Sequence, residues 1–247
     1  DAIAASVLAS SRELFGDGVR LLREAPQLVE MDGFLTADEA AELIDLAEAT
    51  GFDSSRRYID GDASLRTSST VFCRGACQWS PAAARFVERI ASATNVSAMH
   101  FEPVQFVRYR SGERYAPHSD FITADVEAAY GPRLLTFFVY LSEGFEGGGT
   151  AFPQLGLAIE PKVGRAAVWT NSMMYVGGRS GRVRWLPDSR AEHEAQPVGG
   201  EGAGGVKYGA NIWIHDGPYR LWELYAARCR ARDAPGGPGD DAETLEL

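Results

Sequence analysis

The chain has 247 residues, 45% of them hydrophobic and 23% charged, which is enough apolar material for a substantial folded core and excludes disorder along its whole length. Its formal net charge of −10 leaves no basic surplus to neutralise phosphates, which excludes a non-specific nucleic-acid binder while leaving room for a local basic groove. No apolar run reaches the length of about 18 residues that a membrane span needs.

The chain opens on Asp1 rather than Met, as expected of a processed or trimmed chain whose targeting segment lies outside it. From Ala4 to Glu24, Val7, Leu8, Leu14, Phe15, Leu21 and Leu22 recur at about helical spacing, with "FGDG" at 15–18 as an interruption and Pro26 as the end. Residues 1–26 are therefore expected as a helical extension, 27–230 as the main domain, and 231–247, acidic and rich in Pro and Gly, as a flexible tail. "LVEMDGFL" at 28–35 suggests a strand and turn. Thr36 then caps the helix "ADEAAELIDLAEAT", with Glu39 completing a capping box. Residues 52–75 are polar and suggest irregular loop with short strands, and Ser80 caps a further helix with Pro81 at its first position.

Beyond that helix the periodicity changes to short β-like runs, "FEPVQFVRY", "LLTFFVYL", "AAVWT" and "ANIWIH", separated by Gly-rich turns. Helices followed by many short strands predict an α+β protein whose β part closes as a sandwich or barrel. Cys73, Cys77 and Cys229 form no CxxC pair, against a zinc ribbon or a thioredoxin motif; the first two are spaced for a short disulfide in an oxidising compartment, with buried or unpaired thiols as the alternative. "EGGGT" at 146–150 lacks the ending of a phosphate loop and is expected as a turn, no GxSxG elbow occurs, and His100 is expected to be structural.

The chemistry concentrates in "RYAPHSDF", residues 114–121. Residues i and i+2 of a strand share a face, so His118 and Asp120 can offer an imidazole nitrogen and a carboxylate oxygen to one ion. Such a pair arises by chance in roughly a fifth of chains of this composition, so a third ligand is needed to define a site. His193 in "SRAEHEAQPV" is the candidate, far enough along to return on another strand. Two His and one carboxylate on one face leave open positions on the metal, the arrangement of non-haem Fe(II) oxygenases. Lys207, flanked by Val206, Tyr208 and Trp213, is placed to hold the far carboxylate of a keto-acid co-substrate.

At this point the chain resembles the catalytic domain of the prolyl 4-hydroxylases, in the Fe(II)/2-oxoglutarate dioxygenase superfamily. The blocks that carry the likeness run in order: "FLTADEAAELIDLAE", "RTSS", "FEPVQFVRYRSGERYAPHSDF", "RLLTFFVYLSEGFEGGGTAFP", "IEPKVGRAAVW", "DSRAEHEAQPV" and "KYGANIWIH". The resemblance implies a double-stranded β-helix, or jelly-roll, core with supporting N-terminal helices. It also implies Fe(II) held by His118, Asp120 and His193, with Lys207, Tyr109, Thr136 and Trp213 around 2-oxoglutarate. Arg66, Ser68, Glu102, Tyr115, Arg133 and His215 match positions of a peptide groove.

By the same resemblance, O2 is consumed, L-ascorbate serves as reductant, succinate and CO2 are released, and a proline-rich peptide is hydroxylated to 4-hydroxyproline. The secretory pathway is the expected compartment. A related enzyme hydroxylating peptidyl lysine or a free amino acid would share these residues, and a binding module that keeps the fold without chemistry is the reading from another class. Two departures stand out. "VGGEGAGGV" lengthens the spacing from His193 to Lys207, and "SMMYVGGRSGRVRWLPD" is an elaboration whose Arg179, Arg182 and Arg184 suggest a basic lip for an acidic partner or a solvated loop.

Overall fold

The computed structural model of the chain describes residues 2–54, 65–177, 182–199 and 205–224; Arg179, the glycine run at 200–204, Cys229 and the acidic tail lie outside them. Helices α1 (Ala2–Phe15), α2 (Ala37–Thr50) and α3 (Pro81–Thr94) back the β structure. Helix α2 begins where its sequence predicts: the Thr36 hydroxyl accepts from the Glu39 N–H, and the Glu39 carboxylate accepts from the Thr36 N–H. A cap of this kind stabilises a helix by about 1 kcal/mol. Ser80 caps α3 with its hydroxyl alone, which accepts from the Ala83 N–H, and Pro81 stands at the first helical position, where a missing N–H goes unnoticed.

The strands, in chain order, are β1 (Val19–Glu24), β2 (Gln27–Met31), β3 (Asp53–Ser54), β4 (Ser69–Phe72), β5 (Gln105–Tyr109), β6 (Tyr115–His118), β7 (Arg133–Tyr140), β8 (Glu146–Gly147), β9 (Thr150–Phe152), β10 (Leu157–Ile159), β11 (Ala166–Thr170), β12 (Ser172–Gly177), β13 (Arg182–Pro187), β14 (His193–Ala195), β15 (Val198–Gly199) and β16 (Lys207–His215). Eight of them form one antiparallel sheet in the order β1-β2-β11-β7-β16-β5-β4-β3, and four form a second in the order β10-β9-β14-β6. This is a mixed α+β architecture built on the large antiparallel sheets of a double-stranded β-helix.

Side-chain alternation on the large sheet decides what faces the helices and what faces the second sheet. On β7, Leu135, Phe137 and Val139 pack in the core beneath the helices, where Phe137 meets Phe34 at 4.9 Å between ring centroids. Phe138 and Tyr140, one residue out of phase, enter the core between the sheets. Strand β16 divides likewise: Ala210, Ile212 and Ile214 face the helices, which leaves Lys207, Asn211 and Trp213 for the interior. Two buried faces explain why "LLTFFVYL" is a continuous apolar run rather than an alternating one.

Two outcomes correct or settle the sequence reading. Residues 19–24, expected as the end of a helix, are strand β1 and pair antiparallel with β2, so the first 26 residues are not a purely helical extension. The helix stops at Phe15 because Gly16 turns the chain with φ +55°, and Leu21 and Leu22 then pack into opposite cores, as neighbours on a strand do. Cys73 and Cys77 form a disulfide at the junction of β4 and α3. The elaboration after β11 is a β12–β13 hairpin that leaves Met173, Met174, Tyr175 and Val176 exposed.

Candidate functional site

Strand β6 ends at His118 and β14 begins at His193, and the antiparallel register sets these two residues directly opposite one another. Asp120, two residues past His118, turns its carboxylate between them: Oδ1 lies 3.8 Å from His118 Nε2, and Oδ2 lies 3.5 Å from His193 Nε2. Among the described residues, His118, Asp120 and His193 form the one cluster of potential metal ligands, with ligand atoms all within 4.8 Å of one another.

The ring nitrogens of both histidines are assigned by their surroundings. His118 Nδ1 lies 2.9 Å from the Ala116 carbonyl, and His193 Nδ1 lies 3.0 Å from the Ala191 carbonyl. A carbonyl only accepts, so each Nδ1 carries a proton and Nε2 is the ring atom turned towards an ion. Burial, reinforced by the neighbouring His193, pushes the His118 imidazolium down to about 3, which keeps that ring neutral. For Asp120, burial works to raise the carboxyl, but His193, His118, Arg133 and the Thr136 hydroxyl outweigh it and hold it at about 2. The donor set is thus two imidazoles and one carboxylate, suited to a divalent first-row metal with open positions.

Aromatic walls hold the ligands. The Tyr115 ring stacks on His118 at 3.6 Å, and the Trp169 ring meets His193 edge-on at 4.6 Å. The Thr136 hydroxyl donates to Asp120 Oδ2 at 2.7 Å and accepts from Asn171 Nδ2 at 2.9 Å. Partners of this kind fix a ligand's direction before any ion arrives.

The same cavity, of about 400 Å³, runs from these ligands to Lys207. Lys207 is 1% exposed, and its ammonium donates to the Gly148 carbonyl at 2.5 Å. The rings of Tyr109, Phe138 and Tyr140 surround the Nζ at 5.1, 5.4 and 5.2 Å, respectively. An ammonium has three donors and a single carbonyl satisfies one of them, so this group is built to meet an anion. Burial pulls the Lys207 pKa down to about 7, with the Glu160 charge opposing the fall. Gly148 cannot be replaced without loss: φ is +68°, and an added Cβ would lie 2.8 Å from the Phe145 ring and 3.3 Å from the Lys207 stem.

Three more polar atoms of cavity-lining residues are buried without a protein partner: Nε1 of Trp169, Nε1 of Trp213 and Oδ1 of Asn211. Orphaned polar atoms around a cavity are the mark of a polar ligand. The chemistry of the three-residue donor set and the single-partner ammonium therefore fit a metal chelated by a small dicarboxylic keto acid.

Of the residues expected around the co-substrate, Tyr109, Trp213 and Lys207 line the cavity, with Tyr109 opposite Lys207 in the β5–β16 register. Thr136 sits behind Asp120 instead. Of the expected groove residues, Arg66, Tyr115 and Arg133 line the cavity. Arg66 lies over the Tyr115 ring at 4.6 Å and donates to the Ser68 hydroxyl. Glu102 and His215 lie behind Arg133: Arg133 Nε donates to Glu102 Oε1 at 2.5 Å, and His215 Nε2 lies 2.8 Å from the same oxygen. Burial works to raise Glu102, but Arg133 and His215 hold it below the usual carboxylate range. Arg133 then lies over the Trp213 ring at 3.8 Å. His100 Nδ1 meets the backbone carbonyl of His215, a structural contact. Sequence reasoning missed Asn171, Trp169, Asn211 and the carbonyl of Gly148, which come into place only when β11, β7, β9 and β16 close on one another.

Known proteins resemble the chain over this same region. The pattern of the 2OG-Fe(II) oxygenase superfamily matches residues 104–215. Prolyl 4-hydroxylase subunit alpha-2 of Gallus gallus is 34% identical over 139 residues, 55% of this chain and 24% of the relative. Subunit alpha-1 of Rattus norvegicus is 28% identical over 203 residues, 78% of this chain and 35% of the relative. The matched region thus spans about a quarter to a third of these curated relatives. Among solved structures, a viral collagen prolyl hydroxylase of Paramecium bursaria Chlorella virus-1, in complex with 2OG, superposes with a TM-score of 0.57 at 27% identity, covering 76% of this chain and 95% of that one. A prolyl-4-hydroxylase of Pseudomonas putida shares the fold, with a TM-score of 0.51 at 18% identity over 86% of this chain and 98% of that one.

Proposed function

Because the chain belongs to the 2OG-Fe(II) oxygenase superfamily, we propose that it hydroxylates peptidyl proline in proline-rich segments, forming 4-hydroxyproline and releasing succinate and CO2. The observation that carries this reading is one cavity lined at once by His118, Asp120 and His193 and by the buried ammonium of Lys207. The alpha subunits and the viral enzyme to which it is similar are prolyl hydroxylases, which favours proline over other targets.

In this reading His118 Nε2, Asp120 and His193 Nε2 hold Fe(II), and Lys207 pairs with the far carboxylate of 2-oxoglutarate, beside Tyr109 and Trp213. Iron with that co-substrate supplies the oxygen chemistry: oxidative decarboxylation coupled to insertion of one oxygen atom into a C–H bond. The chain's own groups bind, orient and exclude water. Trp169 and Phe152 close the wall behind His193. Arg66, Tyr115 and Arg133 meet the substrate chain at the cavity wall, with Ser68, Glu102 and His215 holding the two arginines. A polyproline segment is preordered and loses little entropy on docking against such aromatic and planar surfaces. No protein nucleophile is required. L-ascorbate, as reductant, belongs in the assay.

Mass spectrometry of proline-rich peptides incubated with the protein, Fe(II), ascorbate and 2-oxoglutarate tests the proposal. A gain of about 16 Da on proline, dependent on iron and 2-oxoglutarate, is the expected result. Modification confined to lysine peptides or free amino acids would replace the substrate assignment, and neither modification nor succinate would favour a binding module.

A further inference from the structure

We infer that Asn171 is a positioning residue for the metal centre, acting through Thr136 on Asp120; this rests on the reading of His118, Asp120 and His193 as metal ligands. Asn171 is 1% exposed, and its backbone is pinned on both sides: its N–H donates to the Leu134 carbonyl at 2.8 Å, and its carbonyl accepts from the Asp188 N–H at 3.0 Å. The side chain is therefore delivered to a fixed point. There Nδ2 lies 2.9 Å and Oδ1 3.3 Å from Thr136 Oγ1.

Thr136 has one hydroxyl proton and two neighbouring acceptors for it, Asp120 Oδ2 and Asn171 Oδ1. The Asp120 carboxylate, at 2.7 Å, is the charged and nearer acceptor and takes that proton. The hydroxyl oxygen then needs a donor, and the amide nitrogen of Asn171 supplies it. The chain of bonds is polarised in one direction, from Asn171 to Thr136 to Asp120. It holds Oδ2 and leaves Oδ1 uncommitted, on the side of His118.

Register adds a second link. Trp169 pairs with Thr136 across β11 and β7, and its ring packs on His193. The three-residue segment Trp169–Asn171 therefore supports two of the three ligands, one through an aromatic contact and the other through the hydroxyl relay. Loss of an outer partner of a metal ligand typically weakens metal binding by about 10- to 100-fold.

The experiment is an anaerobic Co(II) titration of the full chain, followed by the visible absorption of the bound ion, with thermal melts of each metal-free variant. Asn171→Ala is expected to weaken Co(II) binding by about tenfold or more. Thr136→Val should weaken it comparably, and Thr136→Ser, which keeps the hydroxyl, should not. The double variant should bind no more weakly than Thr136→Val alone, because a residue that acts through Thr136 has nothing left to act on. If Asn171→Ala does not fold, Asn171→Ser makes the same comparison. Unchanged affinity in the Asn171 variant, or losses that add in the double variant, would overturn the inference. His193→Ala separates the two levels: Co(II) binding indifferent to His193 overturns the metal-site reading together with this one, whereas binding that needs His193 but ignores Asn171 overturns this inference alone.

Discussion

The two ends of the cavity are prepared for ligands in opposite ways. At the metal end the surroundings are polar and specific: each ligand has an outer partner, from the Ala116 and Ala191 carbonyls on the histidines to the Thr136 hydroxyl on Asp120. At the other end Lys207 has a single carbonyl and three aromatic rings. The first end is oriented before its ion arrives. The second holds a charge in an apolar cage, at a standing cost that an incoming carboxylate relieves. Direction is thus fixed at one end by hydrogen bonds, and affinity is stored at the other by desolvation.

Removing a ligand is the largest break in this contrast. His193→Ala should abolish hydroxylation and weaken Co(II) binding by more than the roughly 100-fold that loss of an outer partner can cause, while leaving Lys207 caged. Lys207→Met comes next. It should weaken 2-oxoglutarate binding by about a hundredfold or more, with Co(II) affinity retained, because removing one member of a buried charge pair typically costs 3–5 kcal/mol. Titration calorimetry of both variants checks both statements, and an unchanged 2-oxoglutarate affinity in the lysine variant would move the anchoring role elsewhere.

The pH dependence sharpens the comparison. Burial lowers the Lys207 pKa from 10.5 to about 7, so above that value the ammonium is lost and 2-oxoglutarate affinity should fall, by up to about tenfold per pH unit. Stability without co-substrate runs the other way. Between about 7 and 10.5 the unfolded chain binds the extra proton, so the Lys207 contribution to stability rises with pH across that window. Melts and titrations over that range should show both trends in the wild type and neither contribution in Lys207→Met. The smallest effect belongs to neither end. Glu102→Gln loosens Arg133 and should raise the peptide KM by about tenfold, a loss of about 1.4 kcal/mol, with 2-oxoglutarate affinity unchanged.

Much of this arrangement is visible in the chain itself, for physical reasons. His118 and Asp120 stand out as a histidine and a carboxylate two residues apart, although β6 ends at His118 and it is the bend after it, not strand alternation, that turns Asp120 to the same side, and Lys207 stands out as a charge among Val206, Tyr208 and Trp213. The helices of residues 37–50 and 81–94 declare themselves by their caps. What stays hidden depends on closure. Leu21 and Leu22 suit a helix as well as a strand until β2 offers a partner for β1. The short strands β6, β9 and β14 carry too few residues for a period to show. Nothing near Asn171 in sequence hints at Asp120, and nothing around Gly148 hints that its carbonyl meets an ammonium; sheet pairing joins them across separations of 51 and 59 residues. Glu102 and His215 are visible as polar residues on buried strands, but only the fold puts them behind Arg133 rather than on the cavity wall.

Whether one small anion bridges the two ends of the cavity is tested by calorimetric titration of 2-oxoglutarate and of glutarate, which lacks the keto oxygen, into the protein with and without Co(II). With the ion present, 2-oxoglutarate should bind more tightly than glutarate; without it the two should bind alike, held by Lys207 alone. Equal binding of the two anions in the presence of the ion would contradict a bridge between the triad and Lys207.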